Sequence, residues 1–371
     1  MKIETKKARF TNPLYLESGR ILEPYEIMYE TYGELNEDKS NVILITHALS
    51  GNHHCAGRYA NEAKPGWWDN FIGPNKPIDT NKYFVICTNN LGSCFGSTGP
   101  MSANYPSDKP YRYKFPVLTI SDIVKAQKIL LDSLGIYHVK AIIGGSMGGM
   151  QALCYAIEYP RFADIIIPMA TTAYTRPWAI AFNKITIEAI KNDPDFKNGD
   201  YEPEDIKANG LAGLALGRMA GHISYLAPAS MEEKFGRNYV QTDGLYELFG
   251  RFEVERYLEY NGYSFPQRFD PLSYLYIVKT INIFDATRNY DSLEDALSRI
   301  KSKLHLLSFS GDMLFFPSEM EEIYTTMCKI GKGDICSYKM VDSDYGHDAF
   351  LTEVEKFADY IVDILEGKNE K

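Results

Sequence analysis

Gly144-Gly145-Ser146-Met147-Gly148 fits the G-x-S-x-G pattern that turns a serine into a nucleophile. A serine hydroxyl attacks a carbonyl only when a base takes its proton, its oxygen stands clear, and donors await the resulting oxyanion. Flanking glycines relieve crowding at a sharp turn, and a following helix aims backbone N–H groups at developing charge. On five residues alone, a glycine-rich turn with an ordinary serine competes with this interpretation. The context favours the nucleophile. Residues 139–143 are apolar and branched like a buried strand, and residues 150–156 have the composition of a helix start.

The rest of a triad is sought in the order serine, acid, histidine. Residues 303–312 read as a buried strand and a turn ending in Asp312. Residues 337–341 read as another strand, followed by a loop that contains His347. Both side chains then sit after successive strands, on the edge of a parallel sheet that also holds Ser146. Open α/β sheets bind ligands at that edge. A histidine in a surface loop is more often merely solvated, but completing this order singles out His347 among seven histidines.

These residues need a scaffold, and the alternation of apolar strands and helices supplies it. Strands are expected at residues 27–33, 41–47, 83–89, 139–143 and 164–170, with a helix over 120–134. This is the signature of an α/β class fold, a mostly parallel sheet covered by helices on both faces. The next strand begins only at about Lys303. That gap is too long for a single crossover, yet residues 178–190, 210–221 and 272–284 carry apolar helical patterns. We read an inserted helical cap over residues 173–295, and a core domain over residues 1–172 and 296–371. Residues 192–204, rich in Asp, Asn, Pro and Gly, are expected to form a surface turn within the cap. A cap over the carboxyl edge would cover Ser146 and exclude water.

Composition limits the partners. The 371-residue chain is 45% hydrophobic and 24% charged, ordinary for a globular protein. Its net charge of −10 argues against nucleic acid as a partner. No apolar run approaches the roughly 20 residues needed to span a bilayer, so no membrane partner is expected. The N-terminal residues lack the apolar core of a signal peptide. The six cysteines form no C-x-x-C pair, and a cytoplasmic location with reduced thiols is expected. Asn52, His53 and His54 suggest a metal cluster, but no spaced acidic or cysteine partner completes one, and no metal is assigned. The glycine-serine loop of residues 93–99 has the look of a phosphate cradle without the lysine spacing of a P-loop. It is read as a structural turn flanking the active site.

Several further motifs occur in succession: Thr46-His47-Ala48-Leu49-Ser50-Gly51, Gly66-Trp67-Trp68-Asp69, Leu91-Gly92-Ser93-Cys94-Phe95-Gly96-Ser97-Thr98-Gly99-Pro100, Trp178-Ala179-Ile180-Ala181-Phe182-Asn183 and Gly346-His347-Asp348-Ala349-Phe350-Leu351. With Gly145-Ser146-Met147-Gly148-Gly149-Met150-Gln151, this ordered set resembles the homoserine O-acetyltransferase family of methionine biosynthesis, acyltransferases of the α/β-hydrolase fold. The resemblance runs from about Phe10 to the C-terminal helix. It implies Ser146 as nucleophile, Asp312 as the acid that orients the base, and His347 as the base. It also implies Arg218 and Asp348 as the residues that bind the amino-acid substrate. A guanidinium suits the carboxylate of homoserine and a carboxylate suits its ammonium. Gly217 precedes that arginine where members of the family often have alanine, a departure that puts little in doubt.

The oxyanion hole is expected from the backbone N–H groups of Met147, next to the nucleophile, and Leu49, in the loop after the first apolar strand. The reaction implied is double displacement: acetyl-coenzyme A acylates Ser146 as co-substrate, and L-homoserine then takes the acyl group. No permanently bound cofactor is expected. The resemblance also suggests a homodimer formed through cap helices. Succinyl-coenzyme A as donor and serine as acceptor stay open on sequence alone. An esterase or thioesterase with the same triad, and a silent binding protein on the same scaffold, are the competing functions.

Overall fold

The computed structural model describes residues 1–60, 64–241 and 246–368. Its centre is an eight-stranded sheet formed by β1 (Ile3–Phe10), β2 (Tyr25–Tyr32), β3 (Val42–Thr46), β4 (Phe84–Thr88), β5 (Val139–Gly145), β6 (Ala163–Met169), β7 (Lys303–Phe309) and β8 (Cys336–Val341). The spatial order is β1-β2-β4-β3-β5-β6-β7-β8. β2 runs antiparallel to both β1 and β4, and every other pairing is parallel.

The central strands are mostly apolar and buried because both faces are covered. Alternate side chains of β3 divide between two cores, Val42 and Leu44 on one face, Ile43 and Ile45 on the other. The first face packs on α1 (Ile120–Ser133) and α2 (Met147–Glu158). The second holds Trp68, Phe71 and the C-terminal helix α12 (Ala358–Leu365). α1 begins at a capping box in which the Thr119 side chain and the Asp122 carboxylate each bond the other's backbone N–H.

Between β6 and β7 lie α3 (Pro177–Lys191), α4 (Pro203–Asn209), α5 (Ala212–Tyr225), α6 (Pro228–Phe235), α7 (Glu253–Ser264) and α8 (Pro271–Asn282). α9 (Leu293–Ser298) follows before β7, straddling position 295, and packs against α10 (Pro317–Lys329) of the core. α11 (Ala349–Thr352) follows the His347 loop. α5 packs closely on α3 because glycines face it. A Cβ on Gly213 would lie 2.2 Å from the Ala189 carbonyl oxygen, and one on Gly217 2.2 Å from Thr186 Cγ2. Gly217 is therefore a packing requirement of this chain, more than the incidental departure its sequence suggests.

The segment 192–204 is mostly exposed, as expected of a surface turn, but it is anchored from within. It contains a short 3-10 stretch, and Phe196 and Tyr201 are each buried, their rings 5.7 Å apart. Polar and proline-rich composition concealed two aromatic anchors. The Tyr201 hydroxyl bonds the half-buried Asp270 carboxylate and so fastens this segment to the start of α8.

Candidate active site

β5 ends at Gly145, and Ser146 then takes φ 57° and ψ −124° before α2 begins. This left-handed conformation is strained for a non-glycine residue and belongs to a sharp strand-to-helix turn. Its surroundings hold it there. The Ser146 N–H donates to the Met169 carbonyl at 2.9 Å, and the Thr171 hydroxyl donates to the Ser146 carbonyl at 2.8 Å. A Cβ on Gly144 would lie 2.1 Å from Thr46 Oγ1, and one on Gly148 only 2.0 Å from the Thr46 carbonyl oxygen. The glycines of the motif thus answer to β3 as much as to the turn.

The acid and base arrive from β7 and β8. His347 Nε2 lies 2.9 Å from Ser146 Oγ, and its Nδ1 lies 2.8 Å from Asp312 Oδ2. The other Asp312 oxygen accepts the backbone N–H groups of Leu314 and Phe315, at 2.8 and 3.0 Å, which fix the carboxylate. All three side chains are buried. Burial pushes the His347 imidazole down, but the Asp312 carboxylate, through charge and hydrogen bond, with Asp348 behind it, holds it above the ordinary histidine value. The arrangement can deprotonate a serine and stabilise the imidazolium that results.

Ser146 and His347 open into a cavity of about 90 Å³, bounded by Leu49 from the core and Arg218 from α5. Asp348 lines it beside His347. Burial lifts the Asp348 carboxyl above its ordinary value, opposed by the positive charges of His347 and Arg218. The Arg218 guanidinium packs over the rings of Phe265 at 4.7 Å and Tyr225 at 5.4 Å, and its buried Nε has no hydrogen-bond partner among the described residues. Met147 opens α2, so its N–H has no intrahelical acceptor, while Leu49 lines the cavity opposite. Ser146, Asp312, His347, Arg218, Asp348, Leu49 and Met147 are thereby brought to one place.

Tyr225 was missed by sequence reasoning. It stands two helical turns after Arg218, a spacing that puts both on one face of α5, and its ring is 6.0 Å from that of His347. Phe315 also borders the cavity and meets His347 edge-on at 5.4 Å. The residues 52–54 serve elsewhere. His54 Nδ1 lies 2.7 Å from the buried Glu30 carboxylate, which also receives the hydroxyls of Thr5, Tyr32 and Tyr59. The loop of residues 93–99 lines a different cleft from the one that holds Ser146.

Sheet order, strained elbow and triad together define an enzyme of the α/β-hydrolase fold, and residues 41–354 match that fold family. Within it, the chain belongs to the homoserine O-acetyltransferase family. A relative of that name from Nautilia profundicola is 65% identical, across 99% of this chain and 100% of its own. The crystal structure of the homoserine O-acetyltransferase from Bacillus anthracis superposes with a TM-score of 0.90 at 30% identity, over 98% of both chains. The chain is nearly as similar to a structure of esterase E22, with a TM-score of 0.88 at 30% identity, over 98% of this chain and 100% of that one.

Proposed function

We propose that the protein transfers an acetyl group from acetyl-coenzyme A to the side-chain hydroxyl of L-homoserine, a step of L-methionine biosynthesis. The observation that carries this reading is the presence of Arg218 and Asp348 in the same cavity as Ser146 and His347. A hydrolase needs no opposed charges there, whereas an amino-acid acceptor has a carboxylate and an ammonium to place.

His347 takes the Ser146 proton as the oxygen attacks the thioester carbonyl. The oxyanion rests on the N–H groups of Met147 and Leu49, and the coenzyme A thiolate leaves with the proton returned by His347. Homoserine then enters with its carboxylate on Arg218 and its ammonium on Asp348. His347 deprotonates its hydroxyl, which attacks the acyl-serine and releases the ester. Base, acid and oxyanion donors all come from the chain, so the scheme uses no resident cofactor or metal. Orientation can contribute roughly 7–11 kcal/mol at its upper end, which favours the bound hydroxyl over water. An acetyl donor fits better than a succinyl donor, because Arg218 is the one arginine or lysine bordering the cavity among the described residues and the acceptor carboxylate engages it.

Residues 173–295 act in this reading as a lid. Exposed Ile180, Ile185, Leu216, Ile223 and Tyr260 on α3, α5 and α7 favour a homodimer through the cap. Six unpaired cysteines favour the cytoplasm, and no helix among the described residues is long and apolar enough to cross a membrane. The deciding experiment measures coenzyme A release with acetyl- and succinyl-coenzyme A, each against homoserine, serine and water. Release with acetyl-coenzyme A and homoserine, parallel initial-rate lines, and loss of transfer in Ser146→Ala are expected. Free acetate as the main product would instead assign an esterase.

A further inference from the structure

The loop of residues 93–99 lacks the lysine of a phosphate cradle, but the fold brings cations to it from elsewhere. It forms one side of a cleft of about 670 Å³, whose other side is the cap, with Lys207 at α4 and Arg268 just before α8. Lys7 and Glu26 also border this cleft and pair with each other at 3.1 Å. The Asp270 carboxylate is occupied by the Tyr201 hydroxyl and the Ser273 N–H. Lys207 and Arg268 are left without a carboxylate partner among the described residues, in a chain whose net charge is −10.

The surroundings of Arg268 call for an anion. Its guanidinium lies 4.9 Å from the centre of the Phe265 ring, and that of Arg218 lies 4.7 Å from the same centre. The two guanidinium carbons are thus no more than about 10 Å apart, and their like charges repel. Nearby His222 is pushed down to about 3 by burial and by the charges of Arg218, Arg268 and Lys234. The loop that forms the opposite wall begins at Ser93, whose buried hydroxyl has no hydrogen-bond partner among the described residues. Gly96 takes φ 101°, turning the loop where its backbone faces the cleft. Uncommitted cations across a cleft from a glycine turn are what phosphate oxygens require.

We propose that this cleft binds phosphate esters through Arg268, Lys207 and the loop of residues 93–99. Resting on the proposed function, its first occupant is the phosphorylated end of the acyl donor, since the buried Phe265 ring packs against both Arg268 of this cleft and Arg218 of the acceptor pocket. A separate phosphorylated ligand would meet the same chemistry.

The test compares the wild-type protein with Lys207→Gln/Arg268→Gln, with hydrolysis of a neutral acetate ester and the melting temperature reporting an intact fold. Calorimetry with adenosine 3′,5′-bisphosphate should detect binding to the wild type and at least tenfold weaker binding to the variant. The KM for acetyl-coenzyme A should rise at least tenfold in the variant, while that for S-acetylpantetheine, which has no phosphate, stays unchanged. Weakened calorimetric binding with an unchanged KM for acetyl-coenzyme A upholds the phosphate site and assigns it to a separate ligand. Absence of binding to the wild type, or equal binding to both proteins, overturns the proposal. If the wild type used no coenzyme A thioester at all, the proposed function would fall while calorimetry still decided the cleft.

Discussion

The indole N–H of Trp68 donates to the carbonyl oxygen of Phe350 at 2.9 Å, joining positions 282 residues apart. Phe350 closes the short turn that carries His347, and its ring lies so near Gly145 that a Cβ there would be 2.4 Å from it. Trp68→Phe removes the donor and leaves a buried carbonyl unpaired. The expected loss is about 1–3 kcal/mol of stability, with a lower kcat because the base is less firmly placed. Chemical denaturation and ester-hydrolysis kinetics check both. An unchanged midpoint would show that the bond contributes nothing.

Arg218→Ala should raise the homoserine KM and lower kcat for transfer while hydrolysis of a small neutral acetate ester continues. In the proposed reaction the guanidinium holds a group remote from the reacting hydroxyl, so acylation should not depend on it. A charge-assisted hydrogen bond of about 1.5–3 kcal/mol corresponds to about 10- to 150-fold in kcat/KM. Asp348→Asn should act similarly through the ammonium and also lower the His347 pKa slightly, because its charge helps to raise it. Equal loss of ester hydrolysis in Arg218→Ala would make that residue a structural part of the cap.

The pH dependence follows from His347. Its imidazole must be neutral to accept the Ser146 proton, and in the folded enzyme its pKa lies above 6.5. Activity is therefore lost as pH falls through that raised value, and the acid limb of kcat/KM should lie above pH 6.5. Asp312→Asn removes the main influence that raises it and leaves burial, which lowers it. The acid limb should move to lower pH while the rate drops by roughly 10⁴-fold. A pH–rate profile of ester hydrolysis measures both, and an acid limb that stayed in place would separate Asp312 from the titration.

Gly217→Ala tests the contact between α3 and α5. The added methyl would meet Thr186 Cγ2 at 2.2 Å, so the helices must part or Thr186 must turn. Overpacking of this kind costs about 1–3 kcal/mol, and Arg218 is the next residue. A lower melting temperature and a severalfold higher homoserine KM are expected, with ester hydrolysis preserved. Thr186→Ala in the same chain should restore both, since it removes the atom that clashes. Failure of that rescue would place the strain elsewhere.

The central strands were legible because a strand covered on both faces has little room for polar residues, as in β3 and β5. Ser146, Asp312 and His347 were legible for a related reason: each comes after a strand of the sheet, where chain order does the work of geometry. β1 was not read, since its exposed edge position allows Glu4, Lys6, Lys7 and Arg9 to interrupt the apolar pattern. α6 and α7 also escaped notice, being short cap helices with few buried positions. The environment of Arg218 was hidden because Phe265 comes from a distant segment, and no local periodicity pairs them.

Arg218 stands on a helix inserted between β6 and β7, whereas Ser146, Asp312 and His347 stand at the edge of the sheet, and in the proposed reaction this division separates two tasks. Loading an acyl group onto the serine is the work of strand ends. Placing what receives that group falls to the inserted helix, together with one residue beside the base. Hydrolysis is then the outcome whenever acceptor recognition lapses, with the sheet and its triad unaltered.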